Sequence, residues 1–199
     1  MSDTVLTNRP LPVGSVDRRA AGWWGMLTLI LTEAALFVYL LFSYYYIALQ
    51  YGRSWLPNEL PSFRLSVPNT AMLLLSSVAV WWGERGIKRG RRGQLVLGLA
   101  IGILLGIAFV GVQLIEWSEK TFTISTSSYG SLYFTVTGFH MAHVVVGLII
   151  LIALLVWAIL NYFDSKRHAP VPIGSVYWHF VDVVWLCVFT TFYVTPYLS

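Results

Sequence analysis

The chain is 199 residues long, and 57% of its residues are hydrophobic while only 11% are charged. A soluble domain carries roughly 25% charged residues, so this chain cannot cover its own surface with polar groups, and lipid is its expected solvent. The net charge of +4 does not come from a basic stripe with interleaved aromatic residues, which excludes a nucleic-acid binder. Cys187 is the single cysteine and excludes a disulfide within the chain.

Five apolar runs approach or exceed the roughly 20 residues that a helix needs to cross a bilayer. The first run follows an N-terminal arm, residues 1–22, and is too long for a signal peptide, so we expect a retained first helix. Pro68 is expected in the first turn of the second span. The predicted fold is all-α, a polytopic five-helix transmembrane bundle in which residues 23–199 form one domain. Its spans are predicted at Trp23–Leu49, Val67–Gly83, Leu95–Trp117, Leu132–Leu160 and Val176–Tyr197.

The basic residues predict the orientation of this bundle. Ten of the 13 Lys and Arg residues lie in the N-terminal arm and in the loops after the second and fourth spans. The other three, Arg53, Arg64 and Lys120, lie on the opposite side. Short basic loops stay in the cytoplasm, so the N-terminus is predicted to be cytoplasmic and the C-terminus periplasmic.

Six ionisable side chains lie within or near the apolar runs. A charged group at the bilayer centre costs about 2.5–3.5 kcal/mol on insertion scales, so each should be neutral, paired, or turned toward protein. These candidate site residues are Glu33, Glu116, His140, His143, His179 and Asp182.

The expected depth of each side chain sorts these residues into two clusters. Glu33 lies roughly 15 Å into the first span at the helical rise per residue, which is close to the middle of the membrane. An inner cluster is predicted between Glu33 and either His179 or Asp182. An outer cluster is predicted between Glu116 and either His140 or His143.

The chemistry of these residues leaves alternatives open. His140 and His143 share a helix face, so they could converge on a metal ion or haem, or each could make an interhelical hydrogen bond. Glu33 could carry protons or act as a neutral acid that fixes helix register. Asp182 is expected to be structural, and no metal site is predicted. Close helix packing is the expected role of Gly98, Gly102, Gly106, Gly138 and Gly147.

Each span carries a distinctive polar segment, and two more segments lie in the loop before the fourth span. The first span contains Thr-Glu followed by an apolar run, the fourth reads Gly-Phe-His-Met-Ala-His-Val, and the fifth reads Tyr-Trp-His-Phe-Val-Asp-Val-Val-Trp. Together, from about Trp24 to Tyr197, the chain resembles subunit III of the haem–copper terminal oxidases. The segments are Leu31–Phe37, Pro68–Thr70, Gln113–Trp117, Phe122–Ser125, Tyr129–Ser131, Thr137–Val144 and Tyr177–Trp185.

The resemblance implies a non-catalytic accessory subunit without a cofactor of its own. In this family, subunit III packs against subunit I, which holds haem and copper and reduces oxygen to water while pumping protons. Subunit II and phospholipids are further implied partners, and membership of a respiratory supercomplex is left open. The resemblance further implies that the subunit supports proton uptake. Glu33 would be the family's buried glutamate, and the other five candidate residues would be its signature polar positions.

One departure from the family pattern concerns length. Longer members have two additional N-terminal helices that form one arm of a lipid-filled cleft, and this chain is expected to begin at their third helix. Five-helix members occur in bacterial oxidases, so a bacterial plasma membrane is the predicted location. The loop Phe122–Ser131 favours a cytochrome c oxidase over a quinol oxidase.

Two other functions fit the sequence less well than an oxidase subunit. A proton-coupled transporter should show inverted repeats and broken helices, and neither is found in the sequence. A di-haem cytochrome needs four axial ligands at matched depths, and His179 is predicted at a different depth from the two histidines of the fourth span.

Overall fold

The computed structural model describes residues 21–57 and 62–198. Every regular element within these ranges is helical, and five of the helices are long and apolar enough to cross a membrane. The all-α, five-span prediction is therefore confirmed, whereas nearly all of the predicted arm, residues 1–22, lies outside the described residues. The five long helices are α1 Ala21–Tyr51, α2 Phe63–Lys88, α3 Arg92–Glu119, α4 Ser128–Ile159 and α5 Pro170–Phe189.

Three short elements complete the described fold. A 3₁₀ turn, Gly52–Trp55, follows α1, while a π-helical turn, Thr190–Val194, and the short helix α6, Thr195–Leu198, continue α5. We call the end of the bundle where α3 ends and α4 begins the Glu116 end. The opposite end, where α2 turns into α3, is the Lys88 end.

Several helices begin earlier than their apolar runs. The Ser62 hydroxyl accepts a hydrogen bond from the Arg64 amide at 3.2 Å and caps α2, so Pro68 lies inside the helix rather than in its first turn as predicted. Ser127 caps α4 in the same way, through the Gly130 amide at 3.1 Å. Serine caps thus extend these two helices beyond their apolar runs.

Glycines allow close contact between neighbouring helices. A Cβ added at Gly98 on α3 would lie 2.6 Å from the Ala79 carbonyl oxygen of α2. The ring of Trp178 on α5 passes between Gly106 and Gly147, where added Cβ atoms would lie 2.8 and 2.7 Å from ring carbons. The packing role is supported at these positions and at Gly102, but Gly138 has no atom within 4 Å of an added Cβ, so that prediction is wrong.

Buried polar side chains join the helices in pairs. Trp178 and Trp185 on α5 donate their indole N–H groups to the Ser76 and Thr70 hydroxyls of α2, at 3.0 and 2.9 Å. The Asn69 amide donates to the Gln113 side chain at 3.4 Å and joins α2 to α3. Such hydrogen bonds contribute about 0.6 kcal/mol each on average in membranes, and their geometry fixes the rotation of α5 against α2.

The connection between α4 and α5 is organised by Asp164. Its Oδ1 atom accepts hydrogen bonds from the Arg167 and Lys166 amides, both at 2.7 Å. These amide donors lower the pKa of the Asp164 carboxyl, because they stabilise its ionised form.

Candidate functional site

Glu33 on α1 and His143 on α4 form a direct pair about halfway along the length of the bundle. The Glu33 Oε2 and His143 Nε2 atoms are 2.9 Å apart. His143 lies halfway along α4, so Glu33 contacts the middle of that helix, while its mid-membrane position stays a prediction. The Phe37 ring packs edge-on against the imidazole of His143 at 5.0 Å between centroids.

The hydrogen bond of the second ring nitrogen of His143 determines which protonation states the Glu33–His143 pair can adopt. Its Nδ1 lies 2.7 Å from the Phe139 carbonyl oxygen, and because a carbonyl only accepts, Nδ1 carries a hydrogen. The contact with Glu33 is then either a carboxylic acid donating to a neutral imidazole or an imidazolium donating to a carboxylate. Both forms are neutral overall and share one proton, as a coupled pair does.

The pair is not sealed inside the bundle. The Glu33 side chain is 28% exposed and that of His143 is 13% exposed in the isolated chain. The Glu33 carboxyl therefore faces partly away from the protein, toward whatever borders α1 in the membrane.

His140 is turned in a different direction from His143. Its Nε2–H group donates to the Val181 carbonyl oxygen on α5 at 3.2 Å, and its ring lies 4.9 Å from that of Trp185. Of the two open interpretations of His-x-x-His, the geometry supports interhelical hydrogen bonding. Within residues 21–57 and 62–198, no group of three or more His, Cys, Asp or Glu side chains is placed to hold a metal ion.

Glu116 lies in a cluster of hydroxyl and ammonium groups at the Glu116 end. Its Oε1 atom accepts from the Tyr193 hydroxyl at 2.5 Å and from the Tyr133 hydroxyl at 3.4 Å. Lys120, one turn further along α3, places its Nζ 3.0 Å from the same oxygen. The buried carboxylate is thus neutralised by a lysine of its own helix and held by tyrosines of α4 and the π-helical turn.

A pocket opens beside this cluster. Its volume is about 190 Å³. Both acidic and basic groups reach it, so the pocket has no single sign of charge. Its polar lining includes Arg64, Glu116, Glu119, Lys120, Tyr129 and Tyr133.

His179 and Asp182 lie on the face of α5 that packs against α2. The His179 Nδ1 atom is 2.5 Å from the Ser77 hydroxyl of α2. Asp182 is only 4% exposed, and neither of its carboxyl oxygens makes a hydrogen bond within the part of the chain that the structure describes.

Both predicted clusters are wrong in their pairings. Glu33 meets His143 instead of His179 or Asp182, because α5 turns those two side chains toward α2. Glu116 meets neither histidine of α4, because that helix begins at Ser128 rather than Leu132 and carries both histidines deeper into the bundle.

Four further side chains complete these sites without having been predicted as site residues. Lys120 follows Glu116 by four residues, a spacing that places both on one helix face, so the sequence contained that signal. The other three approach from distant helices, and no local pattern identifies them. These three are Ser77, Tyr133 and Tyr193.

Comparison with known proteins places this arrangement in a family. The family model described as cytochrome c oxidase subunit III matches residues 18–197. Cytochrome c oxidase subunit 3 of Drosophila melanogaster is 38% identical over 177 residues, which cover 85% of this chain and 68% of the relative. The subunits of Scyliorhinus canicula and Danio rerio are 36% and 37% identical with the same coverage. The resemblance found in the sequence motifs is confirmed, and the chain belongs to the cytochrome c oxidase subunit III family.

Proposed function

We propose that this accessory subunit of a haem–copper oxidase stabilises the partner that carries haem and copper and supports proton uptake there. The observation that carries the proposal is the Glu33–His143 pair, which holds one shared proton between α1 and α4. The redox chemistry belongs to subunit I in this proposal, and the present chain contributes no redox centre of its own.

The geometry of the pair suits a proton reserve. Moving the shared proton from Glu33 to His143 leaves the net charge of the pair at zero, and the carboxylate and imidazolium that result attract each other at contact distance. A second proton would make the pair cationic, and a lost proton would make it anionic. The partly exposed Glu33 carboxyl provides the point at which a proton from a bordering subunit or water would enter.

The surface of α1 supports assembly with other subunits. Little of this helix is buried within the chain, so a neighbouring protein or lipid must cover it. We propose subunit I as the main contact, with subunit II and phospholipids as further partners, in a bacterial plasma membrane with the N-terminus in the cytoplasm.

Cytochrome c is the electron donor that we favour for the assembled complex. The similar proteins named above are all subunits of cytochrome c oxidases, and the loop before α4 favours the same class. A quinol oxidase is the alternative within the family. Purified complex should oxidise reduced cytochrome c, and oxidation of a quinol alone would contradict this assignment.

Replacing Glu33 tests the proton role. In Glu33→Gln, oxygen consumption should begin at the normal rate and then decline faster during turnover, because the shared proton is lost while the amide still fills the space. Proton pumping should fall most at high turnover. Oxygen uptake and proton release are measured on purified complex in vesicles.

The matched control is Glu119→Gln, which removes an exposed carboxyl from the end of α3. This variant should behave like the parent in both measurements. If Glu33→Gln lowers only the amount of assembled complex while turnover per complex is unchanged, the residue is structural and the proton role fails. The accessory role itself fails if the tagged chain purifies alone, without larger subunits and without haem absorbance.

A further inference from the structure

Asp182 presents a buried carboxyl group that the proposed function does not use. It lies on α5 with 4% exposure, and both carboxyl oxygens lack hydrogen bonds among the described residues. A carboxylate without a partner in a membrane interior is strongly unfavourable. The side chain must therefore hold a proton, or receive a hydrogen bond after a small movement of a neighbouring group.

Ser77 on α2 is the neighbouring group with the required chemistry. Its hydroxyl lies 2.5 Å from the His179 Nδ1 atom, and Asp182 follows His179 by three residues, on the same face of α5. A hydroxyl donates one hydrogen bond and accepts others at the same time. Ser77 can consequently accept from a protonated Asp182 while it donates to His179, or operate in the reverse direction.

We propose that Asp182, Ser77 and His179 form a second proton-holding site, in which the Ser77 hydroxyl transfers a proton between the carboxyl and the imidazole. In the forward step the Asp182 O–H bond breaks as its proton binds the Ser77 oxygen. The original Ser77 O–H bond breaks as that proton binds His179 Nδ1. The products are a carboxylate and an imidazolium with the serine hydroxyl restored, and the reverse step regenerates the neutral pair.

The surroundings of the site include a carboxyl group on the side of α2 that leads toward the Lys88 end. His179 is only partly buried, and Glu84 follows its partner Ser77 by seven residues, on the same face of α2. Glu84 is itself held by Lys88 at 2.5 Å on the same helix. Because Glu84 lies two turns beyond Ser77 along α2, the two residues are separated by about 10 Å along the helix axis, in the direction of that end of the bundle.

This second site is independent of the Glu33–His143 pair. The two sites are built on different helix pairs, α2 with α5 and α1 with α4, and share no side chain. The inference therefore does not rest on the proposed role of Glu33, and a failure of one leaves the other standing.

Infrared difference spectroscopy of the purified complex tests the site. Subtracting the spectrum of Asp182→Asn from that of the parent should show the carbonyl band of a protonated carboxylic acid. In Ser77→Ala this band should shift, because the carboxyl loses its hydroxyl partner, and in Ser77→Thr it should return toward the parent position. The control Ser43→Ala removes a hydroxyl that bonds to the backbone of its own helix and should leave the band unchanged.

A second measurement does not require the Asp182→Asn variant and therefore remains possible if that variant does not assemble. NMR spectroscopy of the complex with ¹⁵N-labelled histidine reports the protonation of His179 Nδ1. The resonance of this nitrogen should move in Ser77→Ala but not in Ser43→Ala. The proposal is overturned if Asp182→Asn removes no acid band. It is equally overturned if Ser77→Ala leaves both the band and the histidine resonance unchanged.

Discussion

Glu116 shows how a single side chain organises one end of this bundle. Its Oε1 atom receives hydrogen bonds from Tyr193 and Tyr133 and an ion pair from Lys120. The lysine ammonium also lies over the Tyr133 ring, 5.1 Å from its centroid, which adds a cation–π attraction. The cluster thereby ties α3 to α4 and to the segment that follows α5.

Replacing Tyr193 with phenylalanine removes the shortest of these hydrogen bonds. Tyr193→Phe should lower the free energy of unfolding by about 1.5–3 kcal/mol, because a hydrogen bond to a charged group is lost from a buried site. The release of the chain from the purified complex during an SDS titration measures this loss. Tyr162→Phe, at an exposed position in the loop after α4, is the control and should leave the titration unchanged.

A double substitution separates the hydrogen bond from the packing of the ring. In a Glu116→Gln background, Tyr193→Phe should cost much less, because the charged acceptor is already absent. An equal cost in both backgrounds would mean that Tyr193 contributes through ring packing alone.

At the scale of elements, α2 and α3 pack backbone against backbone around Gly98. An added Cβ there meets the Ala79 carbonyl oxygen and, at 2.8 Å, the Gly83 Cα atom. Both obstacles belong to the backbone and cannot rotate aside. The two helices can therefore accept a methyl group at this position only by moving apart.

Gly98→Ala should destabilise the chain by about 1–3 kcal/mol, the usual cost of overpacking. Gly111→Ala on the same helix is the matched control, because nothing lies within 4 Å of its added Cβ and alanine favours helix. Gly98→Ala should release the chain at a lower SDS concentration than the parent. Gly111→Ala should release it at the same or a higher concentration. Equal destabilisation by both would show that helix packing at Gly98 is not the cause.

The same elements show what could be predicted from the sequence. Hydropathy located all five spans, because lipid requires a long apolar run for each helix. Capping by Ser62 and Ser127 moved the starts of α2 and α4 outward, and this shift carried His140 and His143 past the depth of Glu116. A few residues of offset at a helix start were enough to change which side chains meet.

The rotation of each helix about its own axis could not be predicted from the sequence. Which face of α5 meets α2 depends on the fit of Trp178 between Gly106 and Gly147 and on its bond to Ser76. These contacts join residues far apart in the chain. Periodicity along one helix therefore could not show that His179 and Asp182 face Ser77 rather than Glu33.

At the scale of the whole molecule, five consecutive spans place the two loops on either side of α4 at opposite ends of the bundle. The loop before α4 lies at the Glu116 end, and the loop after it lies at the Lys88 end. Five basic residues in the last turn of α2, the connection that follows it and the first residue of α3 also lie at the Lys88 end, namely Arg85, Lys88, Arg89, Arg91 and Arg92. Because basic loops remain in the cytoplasm, we expect the Lys88 end to face inward.

Single cysteines placed in these loops test the orientation. In a Cys187→Ala background, an impermeant thiol reagent added outside intact cells should label Ser125→Cys, in the exposed loop before α4, but not Ser165→Cys, in the exposed loop after it. Inverted membrane vesicles should give the opposite result. Labelling of Ser165→Cys from outside would reverse the orientation, and it would place the Glu84 side of the Asp182 site toward the periplasm instead of toward the cytoplasmic supply of protons.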